Sequence, residues 1–190
     1  MAAILDTLRQ EHVNLDRLLG VLAKQGEVFE RADSPDFDLI EDILDYLENF
    51  PDRYHHPLEN AILRRLTERD AAAAIQVGDL EGEHRAIAQH ARSLRIVFRH
   101  VREEEEVSRD AVLSEIRSFL DGYHHHMNME EDVLFIAAGA SFLAEDWRAI
   151  EAESPCVSDP LSDDSDDDRY GRLRREIVGN YGLTELGQDH

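Results

Sequence analysis

Two short stretches hold the side chains best suited to chemistry. In Tyr54-His55-His56-Pro57-Leu58-Glu59, and again in Tyr123-His124-His125-His126-Met127-Asn128-Met129-Glu130, a His stands four residues before a Glu. Positions i and i+4 lie one above the other on an α-helix, so each pair offers a nitrogen and a carboxylate to one point. Apolar runs follow both pairs (Ala61-Ile62-Leu63 and Val133-Leu134-Phe135-Ile136), which turns that face toward a core. Imidazole and carboxylate donors suit iron, zinc or manganese, and the lack of thiolates disfavours softer metals.

The pattern repeats at long range. Glu11-His12 precedes the first pair and Glu83-His84 the second; His12 to His84 spans 72 residues, while His55 to His126 and Glu59 to Glu130 each span 71. The reading is two similar helical hairpins, each giving two His and one Glu. Four imidazoles (His12, His55, His84, His126) and two carboxylates (Glu59, Glu130) form a set fit for two metal ions. The carboxylates are able to bridge, and coordination positions stay open for a ligand. Exposed His-rich turns would explain the clusters equally well in a chain with 10 His, but not three matching offsets on or beside apolar stripes.

The elements that must position these groups are helical. Ile4, Leu5, Leu8, His12, Leu15, Leu18, Leu19 and Leu22 keep a 3–4 spacing and predict a first helix over residues 2–30. A second helix runs from about Phe37 to Arg69, with Asp33, Ser34 and Asp36 ahead of it as capping residues. Pro51 and Pro57 interrupt its hydrogen bonding, and spacing alone does not say whether they begin a new segment or kink the helix. Val77-Gly78-Asp79 is a cap for a third helix ending near Glu106, and a fourth starts near Ser108 and ends by Gly139. Four long helices with short connections predict an all-α, antiparallel up-down four-helix bundle over residues 1–140. Residues 141–190 form a C-terminal acidic extension. Phe142, Leu143 and Trp147 suit a short docking helix, Tyr170–Val178 a weakly amphipathic last one, and the Asp163–Asp168 run lacks EF-hand spacing. His90 and His100 fall off the inner stripe and read as surface residues.

Composition narrows the partners. The 190 residues carry a formal net charge of −22, which opposes nucleic acid and anionic membranes. The single cysteine, Cys156, allows neither an intrachain disulfide nor a thiolate metal site. The first residues lack the charge-then-apolar pattern of a signal peptide, so a cytoplasmic protein is expected.

Residues 1–140 resemble the hemerythrin-like family, the HHE cation-binding domain. The resemblance rests on Glu11-His12, on Phe50-Pro51 followed by His55-His56-Pro57-Leu58-Glu59, on Glu83-His84, and on His126 through Glu130-Glu131-Asp132-Val133-Leu134-Phe135. It implies a non-haem di-iron centre, oxo- or hydroxo-bridged, with His12, His55, His84 and His126 as ligands and Glu59 and Glu130 bridging. It further implies reversible binding of oxygen or nitric oxide, for storage, sensing or stress response. A di-iron enzyme acting on peroxide or nitrogen oxides, iron-sulfur cluster repair and an iron-sensing module are the alternatives. Two departures from the oxygen-carrying members stand out. Ala88 and Leu80 flank His84 where a second helix-three His is expected, and the helix-four pair is His126-x-x-x-Glu130. A five-residue spacing also fits His125 to Glu130 or His126 to Glu131, and spacing leaves that register open. The cysteine-bearing extension usual in repair proteins does not precede helix one, which argues against a repair role. His56, His124 or His125, Glu11, Glu83, Tyr54 and Tyr123 are candidates to orient the ligands from behind.

Overall fold

The computed structural model describes residues 3–153, 161 and 168–181, and among these it contains helices and no strand. Most of the acidic run, Cys156 and the side chain of Tyr54 lie outside the described residues. The long helices are α1 (Ala3–Glu30), α2 (Phe37–Phe50) continuing into α3 (His56–Arg69), α5 (Leu80–Arg102), and α6 (Arg109–Met129) continuing into α7 (Phe135–Ser141). Between them, α4 (Ala71–Val77) fills the turn that leads to α5. Packing runs α1 on α6, α6 on α5, α5 on α2 and α2 on α1, closing an all-α bundle.

Local chemistry sets the helix starts. Asp36 accepts from the Leu39 amide, Asp70 from Ala73, Asp79 from Gly82 and Ser108 from Ala111, each satisfying a donor that the first turn leaves free. Gly78 joins α4 to α5 at φ 82° and ψ −148°, a conformation that is essentially glycine's alone.

The two prolines in the second rod have a definite place. Pro51–His55 is a π-helical turn closed by the His56 amide on the Pro51 carbonyl, and α3 follows directly with Pro57 in its first turn. Proline has no amide hydrogen and its ring collides with the carbonyl four residues back, so a widened turn accommodates it without breaking the rod. A second π turn, Glu130–Leu134, joins α6 to α7, with the Phe135 amide on the Glu130 carbonyl. Both rods thus loosen at the motifs.

The core is two apolar layers. One gathers Leu15, Leu18, Leu22, Ile40, Ile43, Tyr46, Phe98 and Phe119; the other gathers Leu5, Leu8, Ile62, Leu66, Leu134 and Phe135. His12 falls between Leu8 and Leu15 along α1, and His55 between Phe50 and Ala61, so the polar motifs sit at the seam of the layers. Beyond the bundle, α8 (Ala144–Glu153) is pinned to α3 by the fully buried Asp146, which accepts from Arg69 and pairs with Arg65. Helix α9 (Asp168–Tyr181) packs on α1 and α2, placing Leu173 in the first apolar layer and Arg172 2.9 Å from Asp36. No described helix is long and apolar enough to cross a membrane.

Candidate metal centre

All six residues marked by the repeat are buried and converge at the seam: His12, His55, Glu59, His84, His126 and Glu130 are each at most 4% exposed. The helix-four register is visible in the placement, since His126 and Glu130 point inward while His125 is exposed and Glu131 is half-exposed. A seventh residue joins them. His56, expected to act from behind, has its ring within the cluster, stacked on His84 with centroids 3.7 Å apart. The donor atoms fall into two groups, His12, His55, Glu59 and Glu130 on one side and His56, His84 and His126 on the other, with the atoms of each group within 4.8 Å of one another.

The carboxylates span the two groups. Glu59 turns Oε1 toward His55 (3.1 Å) and His12 (3.6 Å), and Oε2 toward His84 (3.4 Å). Glu130 turns Oε2 toward His12 (3.3 Å), and Oε1 toward His84 (3.2 Å) and His126 (3.1 Å). Both oxygens of Glu59, Oε2 of Glu130 and Nε2 of His126 nevertheless lack an aligned hydrogen bond. Lone pairs converge here without the donors that ordinarily justify burying them.

The outer ring nitrogens decide which atoms face inward. His55 Nδ1 lies 2.7 Å from Glu11, His12 Nδ1 2.9 Å from Glu131, His56 Nδ1 2.8 Å from Asp52, and His126 Nδ1 3.0 Å from Glu83. A carboxylate only accepts, so each of these nitrogens carries a proton, and Nε2 is the atom that each ring turns inward and can offer to a cation on losing its own proton. The same carboxylate bracing fixes ring orientation and strengthens basicity at metal sites. Glu11 and Glu83 therefore orient imidazoles, and each serves the His of another helix, not the one beside it in sequence. The Nε2 atoms of His12 and His55 face each other at 3.1 Å, a contact that needs a cation or a proton between them. His84 is the exception, its Nδ1 buried without a partner.

Electrostatics tells the same story. Burial alone would push the His12 and His84 imidazoles down, yet the Glu130 and Glu59 carboxylates outweigh it and hold both near 9. His55, against Glu59 and Glu11, is raised well above the ordinary value, and His126 is raised in the same way by Glu130. Burial and the neighbouring His84 and His55 take His56 down to about 4 despite Asp52, so it stays neutral. Burial and Glu59 would raise Glu130, but contacts with His12, His126 and His84 hold it near 2. Without metal, the cluster draws protons to offset its carboxylates. The donor set fits bound cations: two bridging-capable carboxylates, five inward imidazoles and orphaned lone pairs at one seam.

Tyr123 is buried beside the centre with its hydroxyl unpartnered; burial and the Glu130, Glu59 and Asp52 charges keep it protonated. His124 pairs with the exposed Asp16, His90 with Glu115 and His100 with Glu105, all away from the cluster.

A helical bundle with a buried histidine–carboxylate cluster at its seam defines a class of proteins that could hold metal between helices. The profile of the hemerythrin HHE cation binding domain matches residues 3–138, and the chain belongs to that family. Comparisons with curated proteins and with solved structures return no match.

Proposed function

We propose that the chain is a non-haem di-iron protein that binds oxygen or nitric oxide reversibly. One ion would be held by His12 and His55, the other by His56, His84 and His126, with Glu59 and Glu130 shared. The observation that carries this is the convergence of the Nε2 atoms of His12 and His55, 3.1 Å apart, with both outer nitrogens committed to carboxylates. Iron in this cluster supplies redox chemistry and coordination positions for a small ligand.

The protein's own residues do the rest. The Glu11, Glu131, Asp52 and Glu83 carboxylates fix four imidazoles in one tautomer, and the apolar layers on either side keep bulk water off the carboxylates. The His12 and His55 side has two imidazoles against three on the other, because the 71-residue offset puts Met127 where the first half has His56. The open position therefore belongs to that side. A peroxide-directed enzyme is the second reading, favoured by the protonated Tyr123 hydroxyl, which stands ready to donate a hydrogen bond beside Glu130.

Metal analysis of iron-grown protein, with absorption spectra under nitrogen, oxygen, nitric oxide and peroxide, tests the proposal. About two irons per chain are expected, with a band that develops under oxygen or nitric oxide and vanishes when the gas is removed. Rapid loss of peroxide with turnover would favour the enzyme. A single zinc per chain, unaffected by His55→Ala, would refute both.

A further inference from the structure

One position beside the ligands sets the two halves of the centre apart. The 71-residue offset that pairs His55 with His126 also pairs their next neighbours, His56 and Met127. His56 stacks on His84 and joins His126 in a group of three imidazoles. Met127 is also buried, and with His12 it forms the two buried walls of a cavity of about 260 Å³ between α1 and α6. We propose that Met127 is the specificity-determining residue of the ligand position, an inference that rests on the function proposed above. It stands on the His12–His55 side in place of a third imidazole, keeps a coordination position free there, and limits the size of what enters it.

Side-chain directions carry it. The ring centroids of His12 and His55 are 4.9 Å apart, and those of His84 and His126 are also 4.9 Å apart. The rod containing α3 therefore sends His55 toward α1 and His56 toward α5, where its ring lies 3.7 Å from that of His84. Helix α6 sends His126 toward α5 and Met127 toward α1, beside His12. The crossing is the same in both halves with the neighbours exchanged, so Met127 reaches the His12 side as His56 reaches the His84 side. What arrives is different. A thioether is a soft, weak donor, poorly matched to iron or zinc among carboxylates and imidazoles, so it fills the place without closing a coordination position. Its chain is unbranched with three rotatable bonds, so it yields to a small molecule while still excluding a ring. The outer walls of the cavity are mostly polar, with Asp16 3.1 Å from His124 beside Arg17 and Glu131, leaving Met127 as its buried apolar side chain.

Two substitutions test it, with metal content measured for each. Met127→His supplies the missing imidazole and should lower the nitric oxide affinity of the ferrous protein at least about tenfold, with iron content unchanged. Met127→Ala vacates the place, so free imidazole, excluded by the thioether, should bind at least about tenfold tighter than to wild type. Val13→His puts an imidazole on the exposed wall of the same cavity and should leave both affinities alone. Cobalt(II)-loaded protein, followed by its visible absorption, makes the test independent of iron and of gases: azide should shift the wild-type spectrum and fail to shift that of Met127→His. Wild-type azide and nitric oxide affinities in fully loaded Met127→His would overturn the assignment. So would equal imidazole affinity in wild type and Met127→Ala, or an equal loss from Val13→His, and the imidazole titration decides alone if Met127→His does not fold. Azide bound by the wild-type cobalt protein but not by Met127→His, with no nitric oxide taken up by the iron form, would refute the gas reading and support the role of Met127.

Discussion

Metal-free protein should lose stability as pH rises from 6.5 to 9, a window in which the ordinary carboxylates of this chain, at net charge −22, are already ionised and contribute no slope. The perturbation is pH, and the responding groups are His12 and His84, with His55 and His126 raised in the same direction. His12 and His84 each have the folded value raised from 6.5 to about 9, so the folded state binds protons that the unfolded chain has released. A raised value gives stability that is fully present below the unfolded value and is lost as pH climbs through the folded one. For one imidazole the loss is about 3 kcal/mol. The two rings share Glu59 and Glu130, so the pair loses less than twice that, still a large part of an ordinary domain's stability. His56 works in the opposite sense: lowered from 6.5 to about 4, it adds stability above 6.5 that is lost as pH falls through 4. The metal-free protein should therefore be most stable near pH 6.5. Urea denaturation followed by circular dichroism at half-unit steps from pH 4 to 10 reads the curve. The zinc-loaded protein serves as control and should be flat between 6.5 and 9, because the ions replace the protons. A midpoint that is constant or rising over that window in metal-free protein would refute the assignment of charge to the cluster.

Other perturbations read other parts of the molecule. Glu11→Gln, which removes the carboxylate 2.7 Å from His55, should weaken metal binding about 10- to 100-fold by competition with a chelator, while His124→Gln should not change it. His56→Leu should lower the iron content of the purified protein from about two to about one per chain if His56 completes one position. Leu22→Ala, at a site with no accessible surface, should cost about 2–5 kcal/mol equally with and without metal, as measured by urea denaturation. Gly78→Ala should cost about 1–3 kcal/mol through backbone strain alone, with iron content unchanged.

Much of this was legible in the residues, for reasons that can be named. The four-residue His–Glu spacing and the 71-residue offset survive folding because both are properties of one helix face, and the helix limits followed from apolar periodicity and capping aspartates. His56 escaped. Its neighbour His55 already occupies the inward face, adjacent helix positions diverge, and the 71-residue repeat does not mark it because Met127 is its counterpart. Asp52, four residues before it, was the available signal, for it braces the outer nitrogen as Glu11 and Glu83 do elsewhere. The π turns were also out of reach: proline announces a disturbance, but whether a rod kinks, ends or widens depends on what packs around it. That Glu11 faces His55 and Glu83 faces His126 is tertiary information, since each sits beside a different His in the chain.

That exchange of partners has a mechanical consequence. Each Glu-His dipeptide sends its imidazole to the centre and its carboxylate to steady a ring on a neighbouring helix, like cross-members in a truss. Shifting α1 therefore moves His12 and, through Glu11, releases His55; shifting α5 does the same to His84 and His126. No helix can relax alone while the others keep their grip. The centre should accordingly assemble and fail as a unit, with loss of occupancy and loss of bundle order coinciding in one sharp transition.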